Sequence, residues 1–151
     1  MTSTVRFGHV ALPARDPRQL ATFYHEFLGL EPTMAGALPA LGEFVFLSDR
    51  PDEEAQVVTF MSRPEARHVA FAVESLAALK ALHAEARVRG IAIERVLDHG
   101  VTLSLYLRDP ESNVVEVFWP TGRVADGVYA RPIDQDTIDR IDASGGETSP
   151  R

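Results

Sequence analysis

The sequence contains no cysteine among its 151 residues. Disulfide bonds are therefore excluded, and so are metal sites that depend on cysteine thiolates, such as most structural zinc sites. Any metal ion that this chain binds must be held by nitrogen and oxygen ligands. The absence of cysteine thus directs the search for a site to histidines and carboxylates.

Basic charge and long apolar runs are also scarce. Fifteen lysines and arginines stand against 22 aspartates and glutamates, which gives a net charge of −7. Nucleic acids and anionic membranes both require a basic face, so neither is an expected partner. No apolar stretch approaches the roughly 20 residues of a membrane-spanning helix, and the first residues lack the features of a signal peptide. We therefore expect a cytoplasmic protein.

A short apolar strand that contains one histidine and leads into a helix start occurs twice in the chain. His9 lies in the first copy and His68 in the second, 59 residues later. The two helix caps, Asp16 and Ser75, are separated by the same 59 residues. A constant offset of this kind indicates a duplicated strand–helix unit.

The remaining pattern predicts an α+β fold in which the order βαβββ occurs twice, in modules of about residues 5–62 and 66–119. Strands are expected at residues 5–12, 31–35, 43–49, 55–61, 67–73, 91–96, 101–108 and 113–119. We expect a single domain over residues 1–122 and an extension over residues 123–151, with a short helix capped by Asp134 and a flexible end.

The two predicted helices each carry an apolar stripe. The first helix follows Asp16 and Pro17 and ends at Gly29, and the second runs from Ser75 to Gly90. His25 and His83 lie on these helices and are expected at the surface. The residues expected to be buried are Leu20, Phe23, Tyr24, Phe27 and Leu28 in the first helix, and Leu76, Leu79, Leu82 and Ala86 in the second.

A single carboxylate, Glu116, lies within the apolar strand at residues 113–119. A buried carboxylate without a partner is costly, and a metal cation would offset that cost. Two histidines and one carboxylate, each on an apolar strand, form the ligand set of a 2-His-1-carboxylate metal site. The alternative is that Glu116 faces solvent from an edge strand and that His9 and His68 are hydrogen-bonded core residues.

The strand at residues 101–108 alternates between two kinds of side chain. Leu103, Leu105 and Leu107 share the face that we expect to pack against a helix, whereas Ser104 and Tyr106 share the other. A polar inner face opposite a helix-covered outer face is typical of a sheet that encloses a cavity.

The order and spacing of His9, His68 and Glu116 resemble those of the vicinal oxygen chelate superfamily. The resemblance covers residues 5–119 and implies a cupped mixed sheet around a metal site with these three ligands. Its motifs in this chain are Gly8-His9-Val10-Ala11-Leu12, Phe23-Tyr24 with Leu28-Gly29-Leu30, His68-Val69-Ala70-Phe71, and Asp109-Pro110 leading to Glu116.

Within that superfamily, the residues around His99 and Tyr106 resemble those of the type I extradiol dioxygenases of catechols and dihydroxybiphenyls. The resemblance implies that His99 and Tyr106 stand beside the metal and handle the protons that a diol must lose. A solvated loop position remains the alternative for His99. Gln56 occupies the position that best matches a further histidine of the larger extradiol enzymes. The expected substrate-binding residues are Gln56, Phe44, Phe46, Val114 and Phe118.

The predicted function is that of a metal-dependent extradiol dioxygenase that opens a catechol-like ring with O2. The resemblance implies Fe(II) as the metal, with Mn(II) or another divalent first-row metal as alternatives, and we expect a homodimer. Other functions on the same fold are a glyoxalase-like lyase or isomerase, a fosfomycin-type thiol transferase, and a non-enzymatic binding protein of the bleomycin-sequestering kind.

Overall fold

The structure is a computed structural model that describes residues 4–124 and 130–144. These described residues form nine β-strands and two α-helices, which confirms the predicted α+β class. In chain order the elements are β1 (Val5–Pro13), α1 (Pro17–Leu28), β2 (Glu31–Leu38), β3 (Gly42–Ser48), β4 (Val58–Met61), β5 (His68–Val73), α2 (Leu76–Val88), β6 (Ile93–Asp98), β7 (Thr102–Arg108), β8 (Val114–Pro120) and β9 (Arg131–Ile133), with 3-10 helices at Pro64–Ala66 and Gln135–Arg140.

The chain divides into two compact units, and the first comprises residues 8–69. Its strand order is β2-β3-β4-β1, in which β1 and β4 run parallel and the other pairs antiparallel. One face packs on α1, where the buried side chains are Ala21, Val45, Leu47, Val58 and Phe60. The opposite face carries a second cluster made of Ala11, Phe44, Phe46 and Met61.

Helix α1 begins and ends as its sequence predicts. The side chain of Asp16 accepts a hydrogen bond from the Gln19 backbone N–H at 2.9 Å, and Pro17 occupies the first turn. Gly29 ends the helix at φ +73°, a left-handed conformation that glycine adopts without steric cost.

The predicted apolar stripe of α1 is wrong for its three outer members. Phe23, Phe27 and Leu28 are 55%, 74% and 56% exposed, whereas Pro17 and Ala21 are buried. Successive residues turn by about 100° around a helix, so Phe23 lies well away from the direction of Ala21. A helix lying on a sheet buries only one stripe of side chains. In α1 the buried stripe is narrower than the predicted one.

The second unit comprises the described residues up to Phe7 and from Ala70 onward. Its strand order is β5-β8-β7-β6-β9, and the β6–β7, β7–β8 and β6–β9 pairs are antiparallel. Leu79 of α2 packs in one cluster with Leu103 and Leu105, which confirms the face predicted for these leucines. The predicted α2 stripe is also confirmed, because Leu79 and Ala86 are buried and Leu76 and Leu82 are partly buried.

The C-terminal segment is built into this second unit. Strand β9 pairs with β6, and Ile138 and Ile141 are buried in the same cluster as Leu79. Lys80 of α2 donates hydrogen bonds to the carbonyls of Asp139 at 2.9 Å and Ile141 at 2.7 Å. The predicted short helix is present as the 3-10 helix capped by Asp134. The predicted flexible end lies almost entirely outside the described residues.

His83 is buried, so its predicted surface position is wrong. It is 2% exposed, and no hydrogen-bond partner to its Nε2 is present among the described residues. Residue 83 follows Leu79 by four and precedes Ala86 by three, which places it on the buried side of α2. His25 lies at the surface as predicted, with a side chain that is 44% exposed.

Two strands differ from their predicted bounds in ways that matter for the site. Strand β4 begins only at Val58, so Gln56 lies in the preceding loop. Strand β6 covers Ile93–Asp98, two residues further along than expected, and a bulge interrupts its pairing with β7. Neither α-helix of the described residues is long and apolar enough to span a membrane.

Candidate metal centre

His9 of β1 and His68 of β5 come together within the first unit. Their Nε2 atoms lie 3.1 Å apart, and the two rings meet edge to face with centroids 5.2 Å apart. His9 is buried and His68 half-buried. The predicted pairing of these two histidines is therefore present in the structure.

The hydrogen bond on the far side of His68 determines which of its nitrogens can bind a metal. Nδ1 of His68 donates to the Ala66 carbonyl at 2.7 Å, and a carbonyl can only accept. The proton is thus on Nδ1, and Nε2 presents a lone pair toward His9. This arrangement is the one that metal-ligating histidines usually adopt.

Glu116 of β8 completes the group. One ligand atom from each of Glu116, His9 and His68 lies within 4.8 Å of the others. Glu116 is only 4% exposed. The alternative prediction, in which Glu116 faces solvent from an edge strand, is therefore wrong. The three residues form a candidate binding group for a divalent metal.

The donor set and its spacing fit a first-row divalent metal. Two nitrogen ligands at about 2.1 Å from one ion and at right angles to each other are separated by about 3 Å, close to the 3.1 Å observed. A hydrogen bond between the two rings has the same length, so the distance alone does not decide between the two. The buried carboxylate favours the metal, because a cation offsets its desolvation. Two imidazoles and one carboxylate are typical of non-haem Fe(II) centres.

Next to Glu116, the side chains of Tyr106 and His99 form a hydrogen-bonded pair. His99 Nε2 lies 3.1 Å from the Tyr106 hydroxyl, and Tyr106 stands directly opposite Glu116 in the β7–β8 register. His99 is half-buried and its backbone N–H donates to the Thr102 carbonyl. A purely solvated loop position for His99 is therefore wrong.

The surroundings of Tyr106 strongly favour its protonated form. Burial, the negative charge of Glu116 and a hydrogen bond to Glu116 raise its pKa well above the usual 10.0, and the charge of Arg95 and a hydrogen bond with Ser104 oppose this only in part. Glu116 can only accept, so Tyr106 donates its single hydrogen to it and His99 Nε2–H donates to the Tyr106 oxygen. A cation held by Glu116 would weaken the charge contribution to this shift.

The residues predicted to bind substrate are found in three places. Phe44 and Phe46 are buried on the sheet face of Ala11, which is also the face of His9 because residues 9 and 11 alternate with residue 10. Phe118, also buried, packs with Ala70 and Ala72. Buried Val114 lies on the same face of β8 as Glu116.

Gln56 reaches the face of Phe46 from its loop. Its Oε1 accepts a hydrogen bond from Thr59 Oγ1 at 2.5 Å, and Thr59 is paired with Phe46 across β3 and β4. Thr59 is 2% exposed and was not among the predicted site residues.

Arg95 was also missed by the sequence reasoning. Its guanidinium carbon lies 4.5 Å from the centroid of the Tyr106 ring. The β6 bulge that turns it toward Tyr106 leaves no signal in a hydrophobic pattern, so the sequence offered no means of finding it.

Comparison with known proteins identifies relatives named as dioxygenases. The chain is 30% identical over 129 residues to a biphenyl-2,3-diol 1,2-dioxygenase of Rhodococcus globerulus, a match that covers 78% of this chain and 64% of the relative. This chain thus spans less than two thirds of the length of that enzyme.

Solved structures share the fold. An extradiol ring-cleaving dioxygenase from B. fuscum superposes with a TM-score of 0.65 at 21% identity, over 82% of this chain and 39% of that one. The Mn(II)-bound glyoxalase from Novosphingobium aromaticivorans gives a TM-score of 0.66 at 21% identity, over 87% and 44% of the two chains.

The family profile matches most of the chain. Residues 6–117, which include both histidines and Glu116, match the profile of the Glyoxalase/Bleomycin resistance protein/Dioxygenase superfamily. The fold and the sequence relatives agree with that match. This chain therefore belongs to the Glyoxalase/Bleomycin resistance protein/Dioxygenase superfamily.

Proposed function

We propose that the protein is a metal-dependent extradiol dioxygenase that opens the ring of a catechol-like aromatic ortho-diol with O2. The observation that carries this proposal is the group of His9, His68 and Glu116. Tyr106 is hydrogen-bonded to the carboxylate of this group and to His99. The name of the Rhodococcus relative, a biphenyl-2,3-diol dioxygenase, supports the same reaction class.

Fe(II) is the metal that we propose, with Mn(II) or another divalent first-row ion as alternatives. His9, His68 and Glu116 would hold it through two nitrogens and a carboxylate oxygen. When bound, such a metal supplies a Lewis acid that binds the two diol oxygens and favours their deprotonated form.

The proposed work of His99 and Tyr106 is to handle the diol protons. A neutral imidazole can accept a proton from a diol hydroxyl on its unprotonated ring nitrogen and return it to the ring-opened product. His99 can therefore act as the proton acceptor, and Tyr106 holds the imidazole through the 3.1 Å hydrogen bond. The net reaction consumes one O2 and breaks the ring bond beside the diol, which leaves one carboxylate and one carbonyl.

The proposed pocket combines flat apolar contacts with one amide. The buried rings of Phe44, Phe46 and Phe118 would contact the faces and edges of an aromatic substrate. Gln56 can hydrogen-bond to a substrate oxygen but cannot relay a proton. Gln56 is therefore assigned no part in proton transfer.

The proposal is tested by loading the protein with Fe(II) under nitrogen and adding a panel of catechols in oxygenated buffer. A coloured ring-opened product from at least one diol is the expected result. Turnover of a glutathione hemithioacetal or of a thiol-transfer substrate in the absence of O2, with no catechol opened, would overturn it in favour of a glyoxalase-like isomerase or a transferase.

A homodimer located in the cytoplasm remains our prediction from the sequence. Light scattering coupled to gel filtration measures the oligomeric state, and a monomeric mass for the active protein would contradict the dimer.

A further inference from the structure

Three side chains form a row across β6, β7 and β8 on the face of the sheet that carries the candidate metal ligand Glu116. Arg95 stands opposite Tyr106 in the β6–β7 register, and Tyr106 stands opposite Glu116 in the β7–β8 register. Directly opposed residues project from the same face of a sheet. A cation, a phenol and a metal-binding carboxylate therefore occupy adjacent positions.

A bulge in β6 is responsible for the direction of Arg95. Residues 93 and 95 of a regular strand would project from the same face. Here the register shifts between them, so that Ile93 opposes Leu107 and belongs to the apolar cluster under α2, whereas Arg95 opposes Tyr106. Bulges often redirect a side chain beside an active site. The irregular backbone thus places this cation on the face of the site.

The guanidinium of Arg95 keeps its hydrogen-bond donors available. Its central carbon lies over the Tyr106 ring, 4.5 Å from the ring centroid, which is a cation–π contact and uses none of the N–H groups as hydrogen-bond donors to a carboxylate. The N–H donors point outward in the guanidinium plane. In residues 4–124 and 130–144 no carboxylate forms an ion pair with Arg95, and the adjacent Glu94 pairs with Arg108 at 2.6 Å.

The distance from Arg95 to Glu116 suits one kind of ligand. Adjacent strands lie about 4.8 Å apart, so β6 and β8 are separated by about 10 Å. An ortho-diol bound beside Glu116 and bearing a carboxylate on a short arm spans a comparable length. Guanidinium and carboxylate form paired, charge-assisted hydrogen bonds of defined geometry.

We propose that Arg95 is a specificity-determining residue that binds a carboxylate on the substrate, so that the substrate class is an ortho-diol with an acidic side arm. This inference rests on the proposed dioxygenase function and narrows it, because it selects acidic diols over neutral ones.

The test compares two diols that differ only in charge, 3-(3,4-dihydroxyphenyl)propionate and its primary amide. Their dissociation constants are measured by calorimetry on the Fe(II)-loaded protein under nitrogen, for the wild type, Arg95→Gln, Arg95→Lys and the control Arg89→Gln at the residue that follows α2. We expect the wild type and the control to bind the acid at least tenfold more tightly than the amide. Arg95→Gln should bind both equally with unchanged amide affinity, and Arg95→Lys should retain part of the preference.

Two different failures are distinguishable in this experiment. If both diols bind and are opened, but the acid shows no preference or keeps its preference in Arg95→Gln, the role of Arg95 is overturned and the dioxygenase proposal stands. If neither diol binds and no diol of the panel is opened, both proposals are overturned together.

Discussion

Nε2 of His9 and Nε2 of His68 lie 3.1 Å apart, although 59 residues separate the two histidines in the chain. Each histidine lies on the strand that precedes one of the two helices, and the strand–helix unit is repeated at the same offset. The duplicated unit therefore places one candidate nitrogen ligand in each copy. The carboxylate has no counterpart in this duplication and comes from β8.

Replacing Glu116 with glutamine should remove the metal while the protein remains folded. The variant loses the anionic ligand but also a buried charge, so the apo-protein should be at least as stable as the wild type. Removing a residue that only hydrogen-bonds to a metal ligand already weakens metal binding by roughly 10- to 100-fold. Because Glu116 is itself a proposed ligand, we expect metal affinity to fall by about 100-fold or more. Metal titration and thermal unfolding measure the two effects, with Glu94→Gln as the control. Stoichiometric metal in Glu116→Gln would contradict the ligand assignment.

Substitution of His99 or Tyr106 should slow turnover without releasing the metal. His99→Ala removes the proposed proton acceptor, and Tyr106→Phe removes the hydroxyl that holds it. Proton-transfer groups typically contribute 10²- to 10⁴-fold to a rate, so we expect kcat losses in that range for His99→Ala and smaller ones for Tyr106→Phe. Tyr24→Phe, which alters a tyrosine packed against Phe60, is the control. Effects within about twofold in both variants would contradict the proposed proton handling.

Buried His83 should make the protein less stable in mild acid. Burial, and secondarily the charge of Arg87, lower its pKa below 6.5, although Asp139 and Asp136 oppose this. The His83 side chain of the unfolded chain therefore binds a proton near pH 6.5, whereas that of the folded chain binds one only at lower pH. The stability present above pH 6.5 declines as the pH falls below it, toward the lowered folded-state pKa.

Urea unfolding at pH 7.5 and pH 5.5 measures this effect of His83. We expect His83→Leu to lose less free energy of unfolding between the two pH values than the wild type. His25→Gln, at an exposed histidine, should lose as much as the wild type. An equal loss in His83→Leu and the wild type would show that another group is responsible.

Asp98 should be important for the attachment of the C-terminal segment. Burial alone would raise its pKa, but hydrogen bonds from Arg123, Arg131 and the Gly100 N–H outweigh this and lower it. Asp98→Asn leaves two partly exposed arginines without their anion, and we expect a loss of about 1–3 kcal/mol in the free energy of unfolding. Asp52→Asn, at an exposed turn, should change it by less than about 0.5 kcal/mol. Equal stability of both variants would argue against this role of Asp98.

The elements predicted from sequence are those with local causes. Asp16 and Gly29 determine the ends of α1 through their own backbone and side-chain preferences, and the alternation in residues 102–108 determines which face of β7 is buried. Glu116 was identifiable because a single carboxylate among apolar residues requires a partner. Each of these features can be read from a few neighbouring residues.

The features that were missed depend on contacts between distant segments. Strand β9 has three residues including Pro132 and exists only because it pairs with β6. His83 is buried on the side of α2 whose core residue Leu79 packs with Ile138 and Ile141 of the C-terminal segment. The spacing of His83 from Leu79 was a readable signal of this burial. The direction of Arg95 depends on a β6 bulge, which no periodic pattern reveals.

Oxygen uptake tests the proposed dioxygenase activity. Protein loaded with Fe(II) under nitrogen is mixed with a limiting amount of an ortho-diol that it opens, and an oxygen electrode records the total O2 consumed. We expect one O2 per diol for the wild type, and none above background for Glu116→Gln treated in the same way. Turnover of the diol without O2 uptake, or no uptake with any catechol by fully loaded protein, would contradict that activity.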